Sequence, residues 1–191
     1  MMAVQKVLVA TDFSEQSRIA IRRAAQICRE HGAQLNLLHV VEDLPTPEFL
    51  SSDQHLEKAK RQLENEVVSA PQGMDCRCQV ETGKIFSTII RSARKIMADL
   101  IVVGAHGHHS LRDNFLGTTA EKLVHKMAFP ILVVKQPFQS AYRRVLVPTD
   151  FSDASRQALS ATTLLAPGAG IDLLHVYGDL GRGAVEHGRC R

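Results

Sequence analysis

The sequence predicts an α/β fold, an open and mostly parallel sheet with helices on both faces. Three observations carry that prediction. Short, continuous apolar runs such as Lys6-Val-Leu-Val-Ala10 and Leu100-Ile-Val-Val103 have the character of strands buried on both faces. Longer segments of helical spacing alternate with them, as right-handed crossovers require. The chain then repeats itself: KVLVATDFSEQSRIAI at Lys6 returns as RVLVPTDFSDASRQAL at Arg144, and LNLLHV at 35–40 returns as IDLLHV at 171–176. Self-similarity on that scale signals duplication of a domain.

Each element follows from its own residues. After the first strand, Thr11-Asp-Phe-Ser14 turns the chain, with Ser14 the expected N-cap of a helix. That helix buries Ala20, Ala24, Ile27 and Cys28 and stops at His31-Gly32. Gln34 to Val41 is the second strand, and Glu42 to Phe49, with two prolines, is a loop. A charged helix over Ser51 to Ser69 turns Leu56, Leu63 and Val67 inward. Asp75 to Glu81 alternates as the third strand, ended by Gly83. Ile85, Ile89, Ile90, Ala93 and Ile96 line a helix that runs to Met97. The fourth strand, Leu100 to Val103, precedes a glycine-rich stretch. Ala120 to Met127 is then a helix burying Ala120, Leu123, Val124 and Met127. The fifth strand opens on Pro130, where no ladder donor is lost, and ends at Lys135.

These elements place a complete domain over 1–138 and a linker with a partial second copy over 139–191. The second copy supplies a strand, a helix and a strand. It has no counterpart of the glycine stretch, and the tail after Val176 lacks apolar periodicity, so a disordered tail is expected. A strand-helix-strand unit buries too little surface to be stable alone.

Composition narrows the function classes. The 191 residues carry a formal charge of +3 with no long Lys/Arg run, which gives no nucleic-acid footprint. No apolar run approaches the roughly 20 residues of a membrane span, and the N-terminus enters a strand directly, so a cytoplasmic protein is expected. Four cysteines at 28, 76, 78 and 190 make no disulfide framework; Cys76 and Cys78 read as reduced thiols on one strand face.

The chemistry concentrates in GAHGHHSLRDNFLGTT, residues 104–119. A strand that turns into a helix leaves several N–H groups without partners at the helix start. Gly104 and Gly107 permit positive φ and close approach of a ligand to the main chain. Gly117 opens the helix, where the dipole favours an anion, and Thr118 and Thr119 add hydroxyls. Such amides can form a nest around a phosphate. The alternative is a tight strand-to-helix loop with an N-cap. No Gly-Lys-Ser/Thr follows, so this is not a P-loop, and the turn after the first strand lacks the dinucleotide glycines.

With these residues, the chain resembles the universal stress protein family, whose nucleotide-binding members carry G-x2-G-x9-G-(S/T). Gly104, Gly107, Gly117 and Thr118 fit every position, and VLVATDFS, LLHVVE and PILVVK extend the resemblance over 1–138. It implies a five-stranded parallel sheet of order 3-2-1-4-5, of the adenine nucleotide alpha hydrolase-like kind. The crevice between strands 1 and 4 is then the binding place. By position, Gly104, His106, Gly107, His108 and Ser110, with Gly117, Thr118, Thr119 and Ala120, would wrap ribose and phosphates. Val40 would meet adenine through its main chain. Asp12 would approach ribose, phosphates or a bound Mg2+, a hard cation suited to carboxylate and phosphate oxygens. Ala10 stands where many members have proline, which the second copy keeps as Pro148.

The other candidates have two readings each. His106 and His108 suit a place beside phosphates, where an anion favours the protonated ring; with His109 they could ligate a transition metal only with ligands from elsewhere. Arg112 is a further phosphate partner or a solvated cation. Asp12 can also simply cap the following helix, and His39 and His175 read as packed, hydrogen-bonded structural residues. No Ser/His/Asp set or carboxylate pair is evident. The expected function is therefore an ATP-binding regulatory stress protein, binding ATP, ADP or AMP with at most slow hydrolysis. The alternatives are an ATP-using enzyme of adenylyl or phosphoryl transfer, and an interaction module that binds no nucleotide. The fifth strand, with Ile131, Leu132, Val133 and Val134, is an apolar edge, and homodimerisation through it is expected.

Overall fold

The computed structural model describes residues 4–42, 52–68, 73–107, 116–126, 129–137, 139–177 and 185–189. The chain divides into two units, Val4–Phe138 and one containing Gln139–Arg191. In the first, β1 (Lys6–Thr11), α1 (Glu15–His31), β2 (Gln34–Val41), α2 (Ser52–Val68), β3 (Cys76–Thr82), α3 (Ile85–Ile96), β4 (Leu100–Gly104), α4 (Thr118–Lys126) and β5 (Ile131–Val134) alternate without exception. The strands form one parallel sheet of order β3-β2-β1-β4-β5.

Burial explains why these segments are strands. Val7, Leu8 and Val9 in β1 and Leu100 to Val103 in β4 are all buried, as two-sided covering of a central strand demands. Helices α1 and α2 cover one face of the sheet, while α3 and α4 cover the other. On that second face Leu8, Leu38, Ile101 and Val103 meet Ile89 and Ala93 of α3 and Ala120 and Leu123 of α4. Helix α1 buries Ala20, Ala24, Ile27 and Cys28 as its spacing predicts. Ser14 caps it, its hydroxyl accepting from Ser17 N at 3.2 Å, and Gly32 closes it in the left-handed region at φ +64°.

Helix α4 begins at Thr118, directly after the Gly117 expected to open it. One detail differs from expectation. Val124, expected inside, is 47% exposed. It lies on the flank of the stripe set by Ala120 and Leu123, and α4 sits over β5, beyond which the sheet has no further strand. Met127 lies outside the described residues.

The second unit comprises β6 (Arg144–Pro148), α5 (Asp153–Leu165), β7 (Gly170–Val176) and β8 (Val185–Arg189). Strands β6 and β7 pair in parallel, and β8 adds antiparallel to β7, an element that the tail's lack of periodicity did not announce. Among the described residues this unit has a single helix and no second covering layer. Leu146 is accordingly 61% exposed, whereas its equivalent Leu8 is 2% exposed. Among the described residues no helix is long and apolar enough to cross a membrane.

Candidate functional site

Strand order reverses between β1 and β4, so their carboxyl ends open a crevice rather than being bridged by one connection. The β1 side is a compact turn built from its own side chains. Phe13 N donates to Thr11 Oγ1 at 3.1 Å, and Ser14 N donates to Asp12 Oδ1 at 3.0 Å. The Ser14 hydroxyl also donates to that oxygen, and Thr11 Oγ1 donates to Ser17 Oγ at 3.0 Å. Phe13 occupies the left-handed region at φ +64°, unusual for a bulky residue. Its ring packs on the His39 ring, centroids 4.2 Å apart. His39 Nδ1 donates to the Thr11 carbonyl at 2.8 Å. Burial pushes the His39 pKa below its ordinary value, so the ring is neutral and structural, clamping β2 to the turn.

The same turn recurs in the second unit. Phe151 has φ +63°, Phe151 N donates to Thr149 Oγ1 at 3.0 Å, Ser152 N donates to Asp150 Oδ1 at 3.0 Å, and His175 Nδ1 donates to the Thr149 carbonyl at 2.7 Å. Hydrogen bonds from Ser152 hold the Asp150 carboxyl down to about 2.

On the β4 side each glycine has a steric reason, and neither Gly104 nor Gly107 adopts the positive φ that the sequence reading allowed them. A Cβ on Gly104 would stand 3.0 Å from the carbonyl carbon and oxygen of Gln16, so the absent side chain lets β4 abut the first turn of α1. A Cβ on Gly107 would stand 2.7 Å from Asp12 Oδ2, which places the loop directly against the β1 carboxylate. A Cβ on Gly117 would stand 3.3 Å from the Ala105 carbonyl. Gly117 N donates to that carbonyl at 2.7 Å, and Ala105 N donates to Val134 O at 3.0 Å, pinning both ends of the loop to the sheet. The Gly117 amide is thereby used. The first intrahelical bond is Glu121 N to Gly117 O, so Thr118, Thr119 and Ala120 contribute the helix-start amides.

Asp12, Gly104, His106, Gly107, Gly117, Thr118, Thr119 and Ala120 therefore gather at the ends of β1 and β4. Ala10 and Val40 lie on the α3 and α4 face, packed against the core there. His108, Ser110 and Arg112 lie outside the described residues. Among the described residues no three His, Cys, Asp or Glu side chains cluster as metal ligands. Sequence reasoning placed the turn at Thr11 to Ser14 but missed Ser17 as one of its builders, although the recurrence of that serine as Ser155 was a visible signal. It also missed Gln16, whose Oε1 is buried with no hydrogen-bond partner among the described residues.

Residues 3–135 match the model of the universal stress protein family. Universal stress protein A homolog 1 of Coxiella burnetii is 31% identical over 70% of this chain and 97% of its own length. A universal stress protein of Mycolicibacterium smegmatis is 28% identical over 92% of this chain, which spans 65% of that relative. Among solved structures, MJ0577 of Methanocaldococcus jannaschii superposes with a TM-score of 0.62 at 26% identity, over 72% of this chain and all of its own. A universal stress protein in complex with cAMP (TM-score 0.55) and one from Archaeoglobus fulgidus in complex with dAMP (0.52) share the fold at 23% identity, each over 70% of this chain and 98% and 100% of their own.

Proposed function

The chain belongs to the universal stress protein family, and on that premise we propose that it is an adenine-nucleotide-binding regulatory protein whose ligand sits between the ends of β1 and β4. The observation that carries this reading is the contact between Gly107 and Asp12. A loop stripped of Cβ atoms is pressed against a carboxylate at the reversal point of the sheet, where main chain and charge are both presented to a ligand. Related folds in complex with cAMP and dAMP support adenylate as the ligand class.

In this reading the amides of Thr118, Thr119 and Ala120, with the two threonine hydroxyls, hold phosphate oxygens at the positive end of α4. Gly104, His106 and Gly107 give close main-chain approach, and His108, Ser110 and Arg112 complete the phosphate and ribose contacts. Ala10 and the Val40 main chain border adenine. Asp12 beside a phosphate would repel it, so its carboxylate would hold a Mg2+ that offsets the phosphate charge. Bound ATP, ADP or AMP biases conformation and partner choice, with at most slow hydrolysis.

Equilibrium binding of labelled ATP tests this. Saturable binding is expected, weakened at least about tenfold (1.4 kcal/mol) by Gly117→Val and by removing Mg2+ with a chelator. Wild-type protein that takes up no ATP, ADP or AMP would overturn the reading.

A further inference from the structure

At the opposite end of the same sheet lies a cleft of about 380 Å³, lined by Lys6 and Leu8 of β1, Gln34, Asn36 and Leu37 of β2, Arg77, Cys78 and Gln79 of β3, and the end of α3 at Lys95 and Ile96. The register pairs Lys6 with Gln34, Leu8 with Asn36, and Asn36 with Arg77, so one face of three adjacent strands is polar here. Two positions further along, the same face carries Leu38 in the core.

Polar side chains at such positions carry a desolvation cost unless partnered. Asn36 is 7% exposed and its hydrogen bond is a long one, from Nδ2 to Val7 O at 3.4 Å; its carbonyl oxygen accepts from no described residue and is not sealed from solvent, so it remains an acceptor for the cleft. Gln34 and Gln79 spend their Nε2 groups on Asp75 and Glu81, at 2.6 and 2.7 Å, and keep carbonyl oxygens as acceptors. Lys6 Nζ donates only to the Ile96 carbonyl at 3.0 Å. None of Lys6, Arg77 and Lys95 makes an ion pair among the described residues. The acids that border the cleft are engaged with its own lining: Asp75 accepts from Gln34 and Glu81 from Gln79, and Lys95 lies close enough to stabilise the Glu81 charge. Asp99 accepts from the Gln5 and Lys6 amides, and Glu81 is held by Arg91 at 2.9 Å and Ser92 at 2.8 Å.

The second unit supplies an internal control. Lys6 and Asn36 correspond to Arg144 and Asp172, and there the pair closes on itself through a bidentate contact, Arg144 Nε and Nη2 both donating to Asp172 Oδ2. In the first unit Asn36 replaces the acid, and Lys6 makes no ion pair among the described residues.

We propose that this cleft is a second ligand site, distinct from the one between β1 and β4, that takes a small phosphorylated polyol. Lys6, Arg77 and Lys95 meet the phosphate, and the carbonyl oxygens of Asn36, Gln34 and Gln79 accept from ligand hydroxyls. The volume falls within the range of small-molecule sites.

Titration of the full chain with ribose 5-phosphate, read by amide chemical shifts, tests the proposal, with ribose and inorganic phosphate as partial probes. Saturable shifts at 34–36, 77–79 and 95–96 are expected, with sugar phosphate binding tighter than either fragment, and persisting in Gly117→Val. Asn36→Asp should weaken binding at least tenfold while keeping the fold, since it installs for Lys6 the counter-ion that Arg144 has. Arg77→Gln, at an exposed position, should do the same. Shifts confined to 104–107 and 117–120, affinity unchanged in both variants, or no shift at millimolar probe would each overturn the proposal.

Discussion

Gly104 and Gly107 stand three residues apart and answer different needs. A methyl on Gly104 meets the Gln16 main chain, which cannot swing aside, so Gly104→Ala should cost about 1–3 kcal/mol, read from urea unfolding. A methyl on Gly107 meets the end of the Asp12 side chain, which can move aside only by straining its hydrogen bonds from Ser14. Gly107→Ala should therefore cost about 1 kcal/mol by urea unfolding and lower nucleotide affinity by displacing Asp12. The positions of these glycines were legible in the sequence, but their reason was not. Local reading offers positive φ, whereas the requirement comes from atoms ninety residues away. His39 adds a pH dependence whose sign follows from its burial. Its folded pKa lies below the ordinary 6.5, so below that pH the unfolded chain binds a proton that the folded chain refuses. The stabilisation is complete above 6.5 and is lost as pH falls. Wild-type stability should accordingly drop more than that of His39→Gln between about pH 7.5 and 5.5 in urea unfolding.

At the level of elements, α1 links stability to the site, because its cap Ser14 also bonds Asp12. Ser14→Ala should cost about 1 kcal/mol by thermal or urea unfolding and should free Asp12 from its fixed orientation, weakening Mg2+-dependent nucleotide binding in parallel. Element identity was readable because apolar period and cap agree: Ala20, Ala24, Ile27 and Cys28 recur at helical spacing between Ser14 and Gly32. The start of α4 was marked by Gly117, but what fixes it there was not readable. Thr118 and Thr119 have the polarity of a loop, and the Gly117–Ala105 hydrogen bond that sets the helix start comes from tertiary structure. Pattern also cannot say whether an apolar strand is covered. Leu8 and Leu146 occupy the same place in the repeat, but only Leu8 lies under a helix layer. Leu8→Ala should cost about 2–5 kcal/mol, and Leu146→Ala should stay within about 0.5 kcal/mol, both by urea unfolding.

For the whole molecule, open sheets leave edges, here β3, β5, β6 and β8, and these differ in how they are protected. Edge strand β3 carries Arg77, Gln79 and Glu81, and β6 carries Arg144 and ends in Pro148; charge and proline blunt both as templates for pairing. Edge strand β5 reads Ile131-Leu-Val-Val134 with no charge before Lys135. Above it α4 exposes Val124, so the apolar surface continues from strand to helix. A stretch of that kind is an aggregation hazard unless covered, and a second copy of β5 is a self-complementary cover, since a two-fold axis pairs the strand with itself antiparallel. We therefore expect a homodimer built on Ile131, Leu132, Val133 and Val134. Val133 is half-buried, and a lysine there would set two like charges across the two-fold, so Val133→Lys should give a monomer by size exclusion with light scattering. The first unit's own packing lies mainly on other residues, so the monomer should keep its helical circular dichroism. A Val133→Lys chain that still elutes as a dimer would move the interface away from β5, and the unprotected face of the second unit at Leu146 would then be the surface to test.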